Sequence, residues 1–288
     1  MMRLFGRLAF GCVVAVAAAT VVHAQWLNYK APGVPRTADG KPNLTAPTPR
    51  SLDGHPDLSG VWMHEMTSLA ELRSLLGSAR IDEARKADVP GMEIGTQHKY
   101  VFNILADVPS ADSLLKPAAL ERMRQTRAAP VGSCGAGVAI AGFPVAGLLS
   151  EPIKIVQAPR LTVLMYEVGG THRQIYTDGR ALPADINLPA YFGYSVGRWD
   201  RDTFVIETVG FNDKTRLDIM GHPHSEQLRV TERLRRRDFG HLDYEMTFDD
   251  PVMYARPFTI RISHDLLADA DIFEMFSENE KDCAHIKP

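Results

Sequence analysis

From Pro152 onwards the chain is a succession of short segments in which apolar and polar residues alternate, and that rhythm restricts the fold more than any other feature. The segments are 153–157, 161–168, 173–177, 193–199, 203–209, 228–236, 242–248, 258–263 and 272–277. In 203–209, Phe204, Ile206 and Thr208 fall on one side and Val205, Glu207 and Val209 on the other, the two-residue period of a half-buried strand. Turn-forming residues stand between segments: Gly169-Gly170, Asp178-Gly179, Asp200-Arg201-Asp202 and Phe239-Gly240. Consecutive strands without intervening helices make an antiparallel meander. With one more strand at Trp62 there are too many for a flat sheet, and closure into a barrel removes the exposed edges. The expectation is a mainly β chain folded as an antiparallel β-barrel.

The first half of the chain reads differently. Arg3 and Arg7 precede an apolar run at 8–22, and Val22-His23-Ala24 offers a cleavage site before Gln25, the pattern of a signal peptide over 1–24. The run is short of the roughly 20 apolar residues a spanning helix needs, and no later segment is longer, so the expected mature protein is secreted or periplasmic, without stable membrane insertion. Phe10 before Cys12 argues against lipidation. Residues 25–56 carry Pro32, Pro35, Pro42, Pro47, Pro49 and Pro56 and read as an extended arm. The barrel domain is expected over 57–288, with a helical insertion at about 67–128. There Leu69, Leu72, Leu75 and Leu76 recur at helical steps behind Thr67 or Ser68 as cap, and Pro117 opens a second helix. The Gly- and Ala-rich stretch 132–149 matches no phosphate-cradling spacing and reads as a close-packed crossing or a lid.

Charge excludes one class of partner. The 288 residues carry a net charge of -3, so no basic field recommends nucleic acid, and the cluster Arg233, Arg235, Arg236 and Arg237 reads as a solvated strand face. Beyond the signal segment two cysteines remain, Cys134 and Cys283. An oxidising compartment favours a disulfide between them, while their separation in the chain leaves two residues that never meet as the alternative.

Two resemblances follow from these residues. Asp57-Leu58-Ser59-Gly60-Val61-Trp62, ahead of a strand meander, resembles the calycin group of lipocalin-like barrels, which open on a Gly-x-Trp whose tryptophan closes one end of the barrel. Over most of the mature chain the sequence is similar to a family of exported bacterial proteins of unassigned activity. That similarity lies in Arg173-Gln174-Ile175-Tyr176-Thr177-Asp178-Gly179-Arg180, Gly193-Tyr194-Ser195-Val196-Gly197-Arg198-Trp199, Gly210-Phe211-Asn212-Asp213, Gly221-His222-Pro223-His224-Ser225-Glu226 and Glu278-Asn279-Glu280-Lys281-Asp282. It implies fold and export and supplies no mechanism.

Chemistry is best supported in the loop 210–226, which holds Asn212, Asp213, Arg216, Asp218, His222, His224 and Glu226. His222 and His224 are two residues apart and share a side in extended backbone. With Asp213 or Glu226 to orient an imidazole they make an acid–base set, and with a carboxylate a zinc site at His222 and His224 is the lesser alternative. A polar loop pinned by its own hydrogen bonds is the third reading. Arg173, Tyr176, Arg216, Asn212 and Tyr194 are the expected ligand-binding residues. His98 and Tyr100 are placed to reach the barrel mouth from the insertion, whereas His241, His264 and His285 read as structural. Arg229, Glu232, Arg233 and Glu245 suggest cross-strand ion pairs, on the outer face or as a polar lining. No serine has the neighbours of a nucleophile elbow. The combined expectation is a barrel holding a small apolar or aromatic organic molecule. Cofactor-independent lyase, isomerase or hydrolase chemistry is the enzymatic form, and a binding protein or envelope interaction domain the alternative.

Overall fold

In the computed structural model, which describes residues 29–79, 81–82, 97–128, 144, 147–148, 152–167 and 170–273, the alternating segments are strands. They are β1 (Gly60–His64), β2 (Ile153–Ala158), β3 (Leu161–Tyr166), β4 (His172–Tyr176), β5 (Tyr194–Asp200), β6 (Thr203–Val209), β7 (Arg229–Arg236), β8 (His241–Asp249) and β9 (Phe258–Leu266). Each pairs with the next, and β1 pairs with both β2 and β9, which closes the barrel. Alternation decides the faces. Along β9, Phe258, Ile260, Ile262, His264 and Leu266 are buried, while Thr259, Arg261, Ser263 and Asp265 are less so. The expected strand at 272–277 is not seen at Ile272 and Phe273, and its remainder lies outside the described residues, as do the signal segment, Cys134, Cys283 and His285.

One pairing departs from the meander. β4 and β5 run parallel, with Ile175 opposite Ser195, so the barrel is mixed rather than antiparallel. The pair Asp178-Gly179 does not close a hairpin. It opens a connection over 177–193 that returns the chain to the end of the barrel where β4 began, which parallel pairing requires. Pro183 and Pro189 keep this connection out of the ladder.

Four helices are described: α1 (Leu69–Leu76), α2 (Lys99–Phe102), α3 (Ala111–Leu114) and α4 (Pro117–Ala128). Ser68 caps α1 by accepting from the Glu71 amide at 3.2 Å. The helical segments sit with the β6–β7 and β8–β9 connections. Leu115 bridges to Tyr254, and the Ile219 and Met220 amides donate to the carbonyls of Val101 and Phe102. Residues 29–56 cover the opposite end. The amides of Phe239 and Gly240, in the β7–β8 turn, donate to Ala46 and Leu44 at 2.7 Å, and Arg50 pairs with Asp202 in the β5–β6 turn at 3.0 Å. At that end Trp62 is fully buried, donates its indole N–H to the Leu58 carbonyl at 2.9 Å and lies under the Arg236 guanidinium. Among the described residues no helix is long and apolar enough to cross a membrane.

Two glycines are dictated by close approach. At Gly60, φ is +148° and a Cβ would stand 2.6 Å from Leu266 Cδ1, so the first strand passes β9 only without a side chain there. On β5 a Cβ at Gly197 would meet Phe204 Cζ at 2.5 Å and Ile175 Cγ2 at 2.8 Å. Gly197→Ala is therefore expected to lower stability by about 1–3 kcal/mol through overpacking, readable as a lower urea midpoint. An unchanged midpoint would mean that the barrel wall yields at β5.

Candidate functional site

The helical end carries the loop that holds the two neighbouring histidines. Asp218 is buried there and accepts from the backbone amides of Ile104 at 2.7 Å, Gly221 at 2.9 Å and His222 at 3.1 Å. The same carboxylate accepts from Nδ1 of His222, in a very short contact. It thereby holds a hydrogen on Nδ1 of His222, and Nε2 makes no hydrogen bond among the described residues. His224 is used up: Nδ1 donates to the Ser225 carbonyl at 3.3 Å, and Nε2 accepts from the Thr215 hydroxyl at 2.7 Å. Burial pushes its pKa down.

The carboxylate that orients His222 is thus Asp218, not Asp213 or Glu226. Asp213 faces α4 and pairs with Arg122. Glu226 is exposed and lines an open groove of about 460 Å3 with Phe211, Ile186, Arg229 and Asp249. Asn212 accepts from the Lys214 amide at 3.1 Å, and Arg216 forms a bridge with Pro223. Tyr176 and Tyr194 are stacked with centroids 5.2 Å apart, with Arg180 over the Tyr176 ring and 3.0 Å from the Tyr194 hydroxyl. They flank the 177–193 connection, Tyr176 before it and Tyr194 after it, and Tyr194 pairs with Val209 at the end of β6. Among the described residues no group of three or more His, Cys, Asp or Glu is arranged to hold a metal ion.

Arg173 has a different environment from the loop. On β4 it points into the barrel and meets Glu232 of β7 with both guanidinium nitrogens, at 2.6 and 3.0 Å, the two side chains being 1% and 0% exposed. Ser195 and Thr208 accept from Nη2 at 3.1 Å, Tyr166 accepts from Nη1 at 3.3 Å, and the Tyr244 hydroxyl donates to Glu232. Burial, and then the Glu232 charge, holds the Tyr244 phenol well above its usual range. The network is electrically neutral and joins six strands, β3 to β8. Glu232 therefore belongs to the lining, while Arg233 and Glu245, opposite each other on β7 and β8, face outward with Asp200 and Arg261.

Next to this network stands a cluster of three buried histidines. His64 ends β1, His264 lies opposite it on β9, and His98 arrives from the turn before α2. Their rings meet edge to face, His98 to His64 at 5.7 Å and His64 to His264 at 6.4 Å between centroids, and Tyr244 lies 5.6 Å from His264. They gather where the seam of the barrel changes partner. Beyond Glu65, whose amide still donates to the Ser263 carbonyl at 2.8 Å, the chain takes up Gln97, with the Thr67 amide on the Gln97 carbonyl and the Thr67 hydroxyl receiving the Lys99 amide at 2.8 Å. His98 is 2%, His64 3% and His264 1% exposed.

Hydrogen bonds assign two of the tautomers. His98 Nδ1 accepts from the Tyr100 amide at 3.3 Å as the cap of α2, so its hydrogen is on Nε2. His64 Nδ1 lies 2.8 Å from the Glu65 carbonyl and must donate to it. On His264 neither Nδ1 nor Nε2 makes a hydrogen bond of good geometry, with only a weak approach to the Ile262 carbonyl, and the neighbouring Gln97 Oε1 is also buried and unbonded. Burial, with the other imidazoles adding to it, lowers the pKa of His98 and of His264 to about 3, so both are neutral at ordinary pH. An imidazole with two unmet hydrogen-bonding positions inside a closed barrel is the least satisfied group in the described fold, and such groups call for a ligand, a water or a catalytic role.

Comparison of the chain with known protein families, curated proteins and solved structures finds no match in any of the three.

Sequence reasoning placed His98 near the barrel mouth but set His264 aside as structural and did not consider His64. The signal that finds both is parity. His264 continues the inward series Phe258, Ile260, Ile262, and His64 continues Trp62, so each puts a polar ring at a core position.

Proposed function

We propose that this is an exported protein whose barrel takes up a small, largely apolar organic molecule from the helical end, with the polar atom of that molecule seated on His264. The single observation that supports the reading is the buried imidazole of His264 with no well-formed hydrogen bond on either nitrogen. A neutral polar group left unbonded costs about 1–3 kcal/mol, a penalty that a ligand would remove. The closed barrel is compatible with a calycin-like fold, and pockets of this kind are mainly apolar with few convergent polar groups. Calorimetric titration with 2-naphthol, a compact and largely apolar probe, tests the proposal. His264→Leu is expected to weaken binding by about tenfold or more with the far-ultraviolet spectrum unchanged. Equal affinity of the two proteins would remove His264 from the site.

A second reading, acid–base catalysis, is favoured by the Asp218–His222 pair. His222 Nε2 has the lone pair of a general base, and Asp218 would stabilise the imidazolium formed when it takes a proton. His222→Gln would then abolish turnover of a bound substrate while leaving its binding intact, whereas a variant with unchanged turnover assigns His222 to the loop's structure alone. Without turnover the barrel is a binding protein.

A further inference from the structure

We infer that the histidine cluster selects an uncharged group carrying one hydrogen-bond donor and one acceptor, as a carboxamide does, and rejects the corresponding carboxylate. The inference rests on the reading of the barrel as a small-molecule site and names the chemistry of the ligand's polar end.

Complementarity follows from the tautomers. His98 Nδ1 is occupied by the Tyr100 amide, which leaves Nε2–H as a donor whose direction the α2 cap fixes. His264 is neutral and without a well-formed hydrogen bond, so one of its nitrogens donates and the other accepts. A carbonyl oxygen can take the His98 hydrogen while an adjacent N–H gives its own to His264. A carboxylate has no hydrogen to give and would leave the His264 lone pair unmet.

Charge argues in the same direction. Among the described residues, the groups facing the cluster include Tyr244 on β8, Tyr100 on α2 with Asp107 on its hydroxyl, and behind Tyr244 the Glu232–Arg173 pair. Arg173 is the cation of the lining and is already bidentate to Glu232. Lys99, next to His98, is turned to Glu71 and Asp107 at 2.7 and 2.9 Å. Among the described residues an incoming anion would therefore meet no free counter-charge, a burial that a protein interior tolerates poorly. A neutral molecule meets no such barrier.

Benzamide and benzoate, nearly identical in shape, separate these possibilities by calorimetry on the full chain at pH 7.5. Benzamide is expected to bind about tenfold or more tightly than benzoate. His98→Asn keeps an oxygen where Nδ1 caps α2 but deletes the Nε2 donor, and His264→Gln restores one hydrogen-bonding position that His264→Leu removes. Expected is a loss of benzamide affinity in His98→Asn and His264→Leu, with part of it recovered in His264→Gln. Benzoate binding as well as benzamide, or a His98→Asn variant with native affinity, would overturn the inference. If 2-naphthol binds and benzamide shows no preference, the barrel site stands and only its selectivity falls. If no probe binds, the ligand-binding reading falls with it.

Discussion

Glu232→Ala is expected to cost about 3–5 kcal/mol, enough to unfold much of the protein at room temperature when net stabilities are about 5–15 kcal/mol. The reason is the charge left behind. Arg173 is 1% exposed at its side chain, and without Glu232 its guanidinium keeps, among the partners described, the neutral oxygens of Ser195, Thr208 and Tyr166. The Tyr244 hydroxyl loses its acceptor at the same time. Replacing both partners, as in Arg173→Met with Glu232→Leu, removes the uncompensated charge, so the double variant should be more stable than Glu232→Ala alone. Urea denaturation of the two variants and the native protein measures the coupling. A Glu232→Ala midpoint close to the native one would show that water reaches Arg173 and that the network does not hold the strands.

Acid is expected to destabilise the fold between pH about 6.5 and about 3, and the histidine cluster sets this window. His98 and His264 are held near 3 in the folded chain and return to 6.5 when it unfolds. Between those values the unfolded chain binds more protons, so stability rises with pH through the window and is lost as pH falls. Each histidine contributes a slope of up to about 1.4 kcal/mol per pH unit, and together they remove about 3 kcal/mol between pH 6.5 and 5. His224, lowered by its own burial, adds in the same direction. Denaturation midpoints measured at pH 7.5, 6 and 5 test this, with His264→Leu expected to show about half the slope attributed to the pair. A native protein whose midpoint is flat across that range would contradict the neutral, desolvated state of both rings.

How much of this was legible depends on how local each feature is. The segment 203–209 became β6 at the same residues, because alternation of apolar side chains records which face a strand buries. Ser68 as a cap and Pro117 at a helix start were equally legible, since both act on backbone groups within a turn of themselves. The parallel β4–β5 pair was not. Asp178-Gly179 looks like a hairpin turn, and only the path of the following connection decides the direction of the next strand. The loop 210–226 was recognised as polar and histidine-bearing. Yet Asp213, Asp218 and Glu226 all lie within reach of His222 along the chain, and packing of Ile104 against the loop brings Asp218 to it.

The sequence by itself determined where most of the strands run, where α1 and α4 begin and which loop is rich in titratable groups. Each follows from backbone geometry and from neighbours a few residues away. Tertiary structure decided that β1 closes on β9, that Glu232 meets Arg173 inside the barrel, and that His64, His98 and His264 come together with one imidazole left unbonded. Those are contacts between residues far apart in the chain, and a histidine's protonation and its partners depend on what surrounds it once water has been excluded.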